Sequence, residues 1–166
     1  MTPEQRLAEL GLDLPDVARP VGAYVPAVRT GDLIFTSGQI PMQKGELLAK
    51  GKVPTDVRAD IAEAAAIQAA LNALAAVKQA LGDGEKPGEL SRVTRIVRMN
   101  VFVNSAPGFC DQAKIANAAS ELLLAAFGQA GRHTRCAIGA AELPLDAPVE
   151  LDLVVEVREG EVGSKK

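Results

Sequence analysis

The chain has no tryptophan, one tyrosine and one histidine, and aromatic residues make up only 3% of its 166 positions. That scarcity removes the stacking platform on which single-stranded nucleic acids are read. The charge balance agrees: 18 Lys and Arg against 21 Asp and Glu give a net charge of −3 and a pI near 5.3, with no basic footprint for a phosphate backbone. A single histidine excludes the paired-histidine acid–base chemistry of ribonucleases, and no His/Cys/carboxylate cluster has the spacing of a zinc site. The two cysteines, Cys110 and Cys136, are far apart and form no CxxC pair. They read as reduced thiols of a cytoplasmic protein. No stretch reaches the roughly 18 consecutive apolar residues of a membrane span. The opening MTPEQRLAEL has neither the apolar region nor the small-residue cleavage site of a signal peptide. The expected partner is therefore a small molecule or another copy of the chain.

What is present is apolar and small. Hydrophobic residues make up 48% of the chain, enough for one domain over 1–166 with a real core. Residues 1–20 read as an arm that opens with a short amphipathic turn around Leu7 and Leu10 and continues extended through two prolines. Tyr24 to Arg29 and Leu33 to Ser37 read as strands joined by the turn residues Thr30-Gly31-Asp32. Lys44 to Pro54 reads as a loop. A helix is expected over about 56–81, capped by Thr55 or Asp56, stopped by Gly82 with positive φ, and buried along Ile67, Leu71, Leu74 and Leu81. After a loop at 82–90, Thr94 to Val103 reads as a strand. About 108–127 reads as a second helix carrying Ile115, Ala119, Leu122, Leu123 and Ala126 on one face and ending at Gly128. Arg135 to Leu143 and Val149 to Val157 read as the last strands. In VELDLVVEV the odd positions are apolar and Glu150, Asp152 and Glu156 share the other face. The order is ββαβαββ, an α+β fold with a mixed sheet and two helices on one face, followed by a charged tail at 158–166.

Few residues offer chemistry. Gly82-Asp83-Gly84 lacks the Lys-Ser/Thr of a phosphate loop and reads as a turn. Cys136 follows His133 by three residues at the entry to a strand, a spacing that does not aim the two side chains at each other, so Cys136 reads as a packed thiol. What remains is GRHTRCAIG followed by ELPLDAPVE. Arg135 opens one strand and Glu150 opens the next; if those strands pair as a hairpin, the two side chains end near one rim. A plain salt bridge, or two solvated ends, is the competing reading.

FTSGQIP at 35–41, VFV at 101–103, Asn117 with Glu121, and TRC…ELP…VE over 134–150 resemble the RidA family, also called YjgF and labelled L-PSP endoribonuclease. The arm and overall length resemble its longer branch. The resemblance implies a fold like bacterial chorismate mutase, assembled as a homotrimer with ligand clefts between subunits. It implies hydrolysis of reactive 2-imino acids and enamines to 2-keto acids and ammonia, with no metal or organic cofactor. Arg135 corresponds to the arginine that holds the substrate carboxylate, and Glu150 to the acid beside the attacking water. Tyr24, Gly38 and Asn117 correspond to cleft-lining positions, and the backbone of Cys136 faces the ligand. The family arginine usually follows Pro-Ala; here Arg132-His133-Thr134 precedes it, which makes His133 a candidate substrate contact. Two other functions stay open: a trimer that binds small carboxylates without turning them over, and an endoribonuclease, against which the acidic charge and single histidine argue.

Overall fold

Strict alternation in the last strand builds the centre of the molecule. The computed structural model describes residues 1–17 and 22–159. In it Val149, Leu151, Leu153, Val155 and Val157 are no more than 2% exposed, while Glu150, Asp152, Val154 and Glu156 turn the other way. This strand, β7 (Val149–Val157), pairs antiparallel with β2 (Leu33–Thr36) on one side and β5 (Val93–Asn104) on the other. Outside β2 lies β1 (Ala27–Thr30), and outside β5 lies β6 (Thr134–Ala140), giving the order β1-β2-β7-β5-β6. β5 and β6 run parallel because the connection between them is a helix, α3 (Gln112–Phe127), which returns the chain to its starting end. The expected ββαβαββ order holds for the five-stranded sheet and the two helices packed on it.

One face of the sheet is covered by α3 and by α2 (Ala59–Ala80). Ala62, Ala65, Ala66, Ala69, Ala70 and Ala73 are wholly buried, and their small side chains let α2 approach both α3 and β7 closely. By length and composition α2 could cross a membrane, but 67% of its apolar window is buried inside the fold. It is the core helix. Ile67 is only half-buried, so the stripe runs through Leu71, Leu74 and Leu81 together with these alanines.

Several local expectations are corrected. The first strand begins at Ala27, leaving Tyr24 outside the sheet. The loop at 44–54 is entered through a small hairpin, β3 (Met42–Gln43) and β4 (Glu46–Leu47), turned by Lys44 and Gly45 at φ 53° and 84°. α2 starts after Arg58, with no side-chain cap; the Asp56 carboxylate instead accepts the Lys52 amide at 2.9 Å and closes the preceding loop. Gly82 does not take a left-handed conformation. It is needed for space, since a Cβ there would lie 2.0 Å from the Lys86 carbonyl oxygen. α3 starts at Gln112, later than the pattern suggests. β6 ends at Ala140, after which Leu145 and Asp146 turn the chain at positive φ.

The arm is more structured than its prolines imply. α1 (Pro3–Glu9) opens with a capping box between Thr2 and Gln5. Leu7 is 1% exposed, whereas Leu10 lies outside the helix and is 54% exposed. Arg6 donates to the Ala126 carbonyl at 3.2 Å, tying α1 to the end of α3. Glu4 accepts the Leu90 amide at 2.9 Å and pairs with Lys78 at 3.3 Å. The end of the arm, 18–21, and most of the charged tail, 160–166, lie outside the described residues.

Candidate functional site

The strand order separates Arg135 and Glu150, which would share one rim only if their strands paired as a hairpin. β6 and β7 do not form a hairpin, because β5 lies between them. Arg135 is in register with Met99, and Glu150 with Phe102, three residues further along β5. Met99 is buried under the helices, so Arg135 is on the helix face of the sheet edge and Glu150 on the open face. Ladder spacing and strand rise put their Cα atoms roughly 14 Å apart. Within one chain they form two sites.

The first site is the edge between β6 and α3. Nη1 of Arg135 donates to Asn117 Oδ1 at 2.9 Å and to Ser120 Oγ at 3.0 Å, and Nη2 donates to the Ala113 carbonyl at 3.4 Å. Ala113, Asn117 and Ser120 follow helical spacing, so one face of α3 presents all three acceptors. Those contacts use three of the five guanidinium N–H groups. Among the described residues the remaining two, on Nε and Nη2, are unengaged, and such a pair grips a carboxylate through parallel hydrogen bonds. His133 joins the cluster: Nδ1 lies 2.7 Å from the Gly131 carbonyl oxygen and Nε2 lies 3.1 Å from Ser120 Oγ. Asn117, His133 and Arg135 therefore come together around Ser120. Ser120 is missed by sequence reasoning, although its place one turn after Asn117 is the signal that finds it.

The second site is on the open face. The segment at Gln39 is bridged to Leu151 by two backbone hydrogen bonds of 2.7 and 3.0 Å, which lays Gly38 directly over Glu150. A Cβ at Gly38 would lie 2.0 Å from Glu150 Oε1, so only glycine leaves room for the carboxylate. Burial pushes the Glu150 carboxyl above its usual range, and the negative Asp152 two residues along the same face adds to the rise. Burial raises Asp152 as well, against the opposing Asn100 hydrogen bond and Arg98 charge. Asn100 donates to Asp152 at 2.9 Å and accepts from Arg98 at 2.9 Å. Tyr24 is 54% exposed. Its segment is tied to that of Gly38 through Ser37, whose hydroxyl donates to the Val25 carbonyl at 2.7 Å. Cys136, in register with Asn100, is half-buried on the open face, away from His133.

The same face carries Val28, Phe35 and Ile138 at 52%, 44% and 47% exposure. The open face thus combines exposed apolar side chains with two half-buried carboxyls, Glu150 and Asp152, whose pKa burial raises.

Comparison with known proteins agrees with this architecture. The family described as "YjgF/chorismate mutase-like, putative endoribonuclease" matches residues 4–157. The chain is 41% identical to Protein TCP17 of Trypanosoma cruzi, over 91% of each chain. It is 27% identical to a 2-iminobutanoate/2-iminopropanoate deaminase of Dermatophagoides farinae, over 88% of this chain and 94% of that one. A crystal structure of the protein Atu1372 from Agrobacterium tumefaciens superposes with a TM-score of 0.86 at 42% identity, covering 94% of this chain and 92% of that one. Sequence and fold together place the chain in the RidA/YjgF family.

Proposed function

We propose that the protein hydrolyses reactive 2-imino acids to 2-keto acids and ammonia in clefts between the subunits of a homotrimer. Each cleft takes Arg135 from one chain and Glu150 from its neighbour. The observation that carries this reading is the Arg135 fork: Asn117, Ser120 and the Ala113 carbonyl hold the guanidinium with its Nε and remaining Nη2 donors available for a substrate carboxylate. The name of the mite relative, a deaminase of such imines, supports the substrate class.

The reaction asks little of the protein. With the carboxylate fixed by Arg135, the C=N carbon is presented to a water. With the imine nitrogen protonated, Glu150 accepts a proton as that water adds; the C–O bond forms, the C=N π pair moves to nitrogen, and a tetrahedral carbinolamine is left. That proton then passes from Glu150 to the nitrogen; the C–N bond breaks with its pair leaving on ammonia, and the hydroxyl gives its proton to Glu150 as the carbonyl forms. A carboxyl held above its usual range is suited to both halves of this transfer, and most of the acceleration comes from holding the reactants in place. The opposite-face placement of Arg135 and Glu150 is the reason for assigning them to different subunits. The same side-chain set without turnover would make a carboxylate-binding protein.

The test is a coupled assay in which an amino-acid oxidase generates 2-iminobutanoate and semicarbazide competes for it. The natural protein should drain the trapped signal and Arg135→Ala should not. If the natural protein leaves the signal unchanged across several imino acids, the hydrolase reading is wrong and carboxylate binding at Arg135 takes its place.

A further inference from the structure

The hydrogen-bond directions around Ser120 are fixed by chemistry. The Gly131 carbonyl can only accept, so the Nδ1 of His133 that lies 2.7 Å from it carries a proton. The Arg135 guanidinium can only donate, so Ser120 Oγ accepts from Nη1 at 3.0 Å. In the neutral imidazole Nε2 is then an acceptor, and the hydroxyl hydrogen of Ser120 points to it across 3.1 Å. The chain of donation runs from Arg135 through Ser120 and His133 to Gly131, with every position assigned.

Protonating His133 reverses the middle of that chain. Both ring nitrogens then donate, so Ser120 must accept from Nε2 as well as from Arg135, and its own hydrogen is released toward the site. The Arg135 fork gains a second positive charge one hydroxyl away and one further donor. We propose that Ser120 and His133 are positioning residues for Arg135 that make recognition of a carboxylate pH-dependent, tightening it as His133 gains its proton. This inference rests on the reading of Arg135 as the carboxylate anchor. The charged residues of the surrounding elements are Arg132 and Arg135 on its own segment, Lys114 and Glu121 on α3, and Arg95 and Arg98 on β5. Of these, Arg135 is the one joined to His133 through a shared hydrogen-bond partner.

Because His133 is the chain's single histidine, its imidazole signals need no assignment once any affinity tag is removed. A proton–nitrogen two-bond correlation spectrum at neutral to mildly alkaline pH should show the Nδ1–H tautomer. Adding 2-oxobutanoate, a stable keto-acid probe, should raise the pH midpoint of that signal. By linkage the probe should bind about three- to tenfold more tightly below the midpoint than above it. Ser120→Ala should mix the tautomers and shrink the shift, and His133→Gln should remove the change in affinity that follows the midpoint of the imidazole signal. A predominant Nε2–H tautomer, or an unchanged pH dependence in His133→Gln, overturns the proposal. If Arg135→Ala abolishes probe binding while the His133→Gln profile matches the natural one, the carboxylate anchor stands and the relay falls. If Arg135→Ala binds the probe as well as the natural protein does, the anchor itself is wrong and the relay falls with it.

Discussion

The two faces of the sheet are made by the same strands and treated in opposite ways. Under α2 and α3, β5 and β7 place Val93, Ile96, Met99, Val101, Leu151, Leu153 and Val155 in a core where exposure stays at or below 7%. On the other face, the intervening positions of the same strands carry Arg98, Asn100, Phe102, Glu150 and Asp152, flanked by exposed Val28, Phe35 and Ile138. A face finished for solvent would carry polar groups throughout, and one finished as core would hold no carboxylates. This mixture, with carboxyls raised by burial, supports the proposed completion of the face by a second copy at a shared seam.

Substitutions that treat the faces differently sharpen the contrast. The largest divergence is expected between Ile138→Asp and Leu153→Ala. The first should leave the far-ultraviolet circular dichroism of the fold intact while sedimentation shows dissociated chains and imine hydrolysis disappears. The second removes a side chain that is 0% exposed and should cost about 2–5 kcal/mol in urea unfolding, without a new oligomeric state. If Ile138→Asp keeps both assembly and activity, the open face is not the seam.

A smaller effect is expected where the chain crosses over Glu150. Gly38→Ala places a methyl group 2.0 Å from the present position of Glu150 Oε1. The end of a glutamate side chain can swing away, so the melting temperature should change little. Activity should fall by about tenfold or more, because orientation of the reacting groups supplies much of the rate. Full activity in that variant would mean that Glu150 need not hold its position.

The smallest effect belongs to the arm, on the outside of the helix layer. Burial opposes the charge on Glu4, but the Leu90 amide, its own amide and Lys78 outweigh it and hold the carboxyl below its usual range. A carboxyl lowered in the folded state stabilises above its unfolded value and loses that contribution as pH falls through the folded one. Glu4→Gln should therefore be less stable than the natural protein near neutrality, by under about 1 kcal/mol given its partial exposure. The difference should vanish in acid. A gap that persists there would point to packing of α1, not to the charge.

What was legible in the sequence followed periodicity. Alternation in VELDLVVEV and the alanine-rich helices fix strands, helices and their order. What escaped depends on contacts between segments distant in sequence. Asp56 resembles a helix cap, yet its carboxylate closes a loop onto Lys52. Lys44 turns a hairpin at positive φ, where glycine or asparagine is the usual sign. The arm forms a helix because Leu7 is buried, Arg6 finds a partner on α3, and Glu4 finds partners in Leu90 and Lys78. At the site, Asn117 and Arg135 were singled out by the resemblance and His133 by its place beside Arg135, but the hydrogen bonds that join them through Ser120 were not readable. Whether the strands of Arg135 and Glu150 pair as a hairpin was left open by the sequence; they do not, because the strand inserted between them is set by the α3 crossover and leaves no mark near either residue.

The central claim is that Arg135 and Glu150 act from different chains, and mixing two inactive variants tests it directly. Arg135→Ala and Glu150→Gln would be co-expressed in equal amounts, and the mixed assemblies assayed for 2-iminobutanoate hydrolysis. Random assembly of a cyclic oligomer pairs an intact Arg135 with a neighbour's intact Glu150 in about a quarter of clefts. Activity should therefore recover to about that fraction of the natural protein's. If both residues served one cleft from the same chain, no mixed assembly would contain a complete site. The mixture would then be as inactive as either variant alone, contradicting the account.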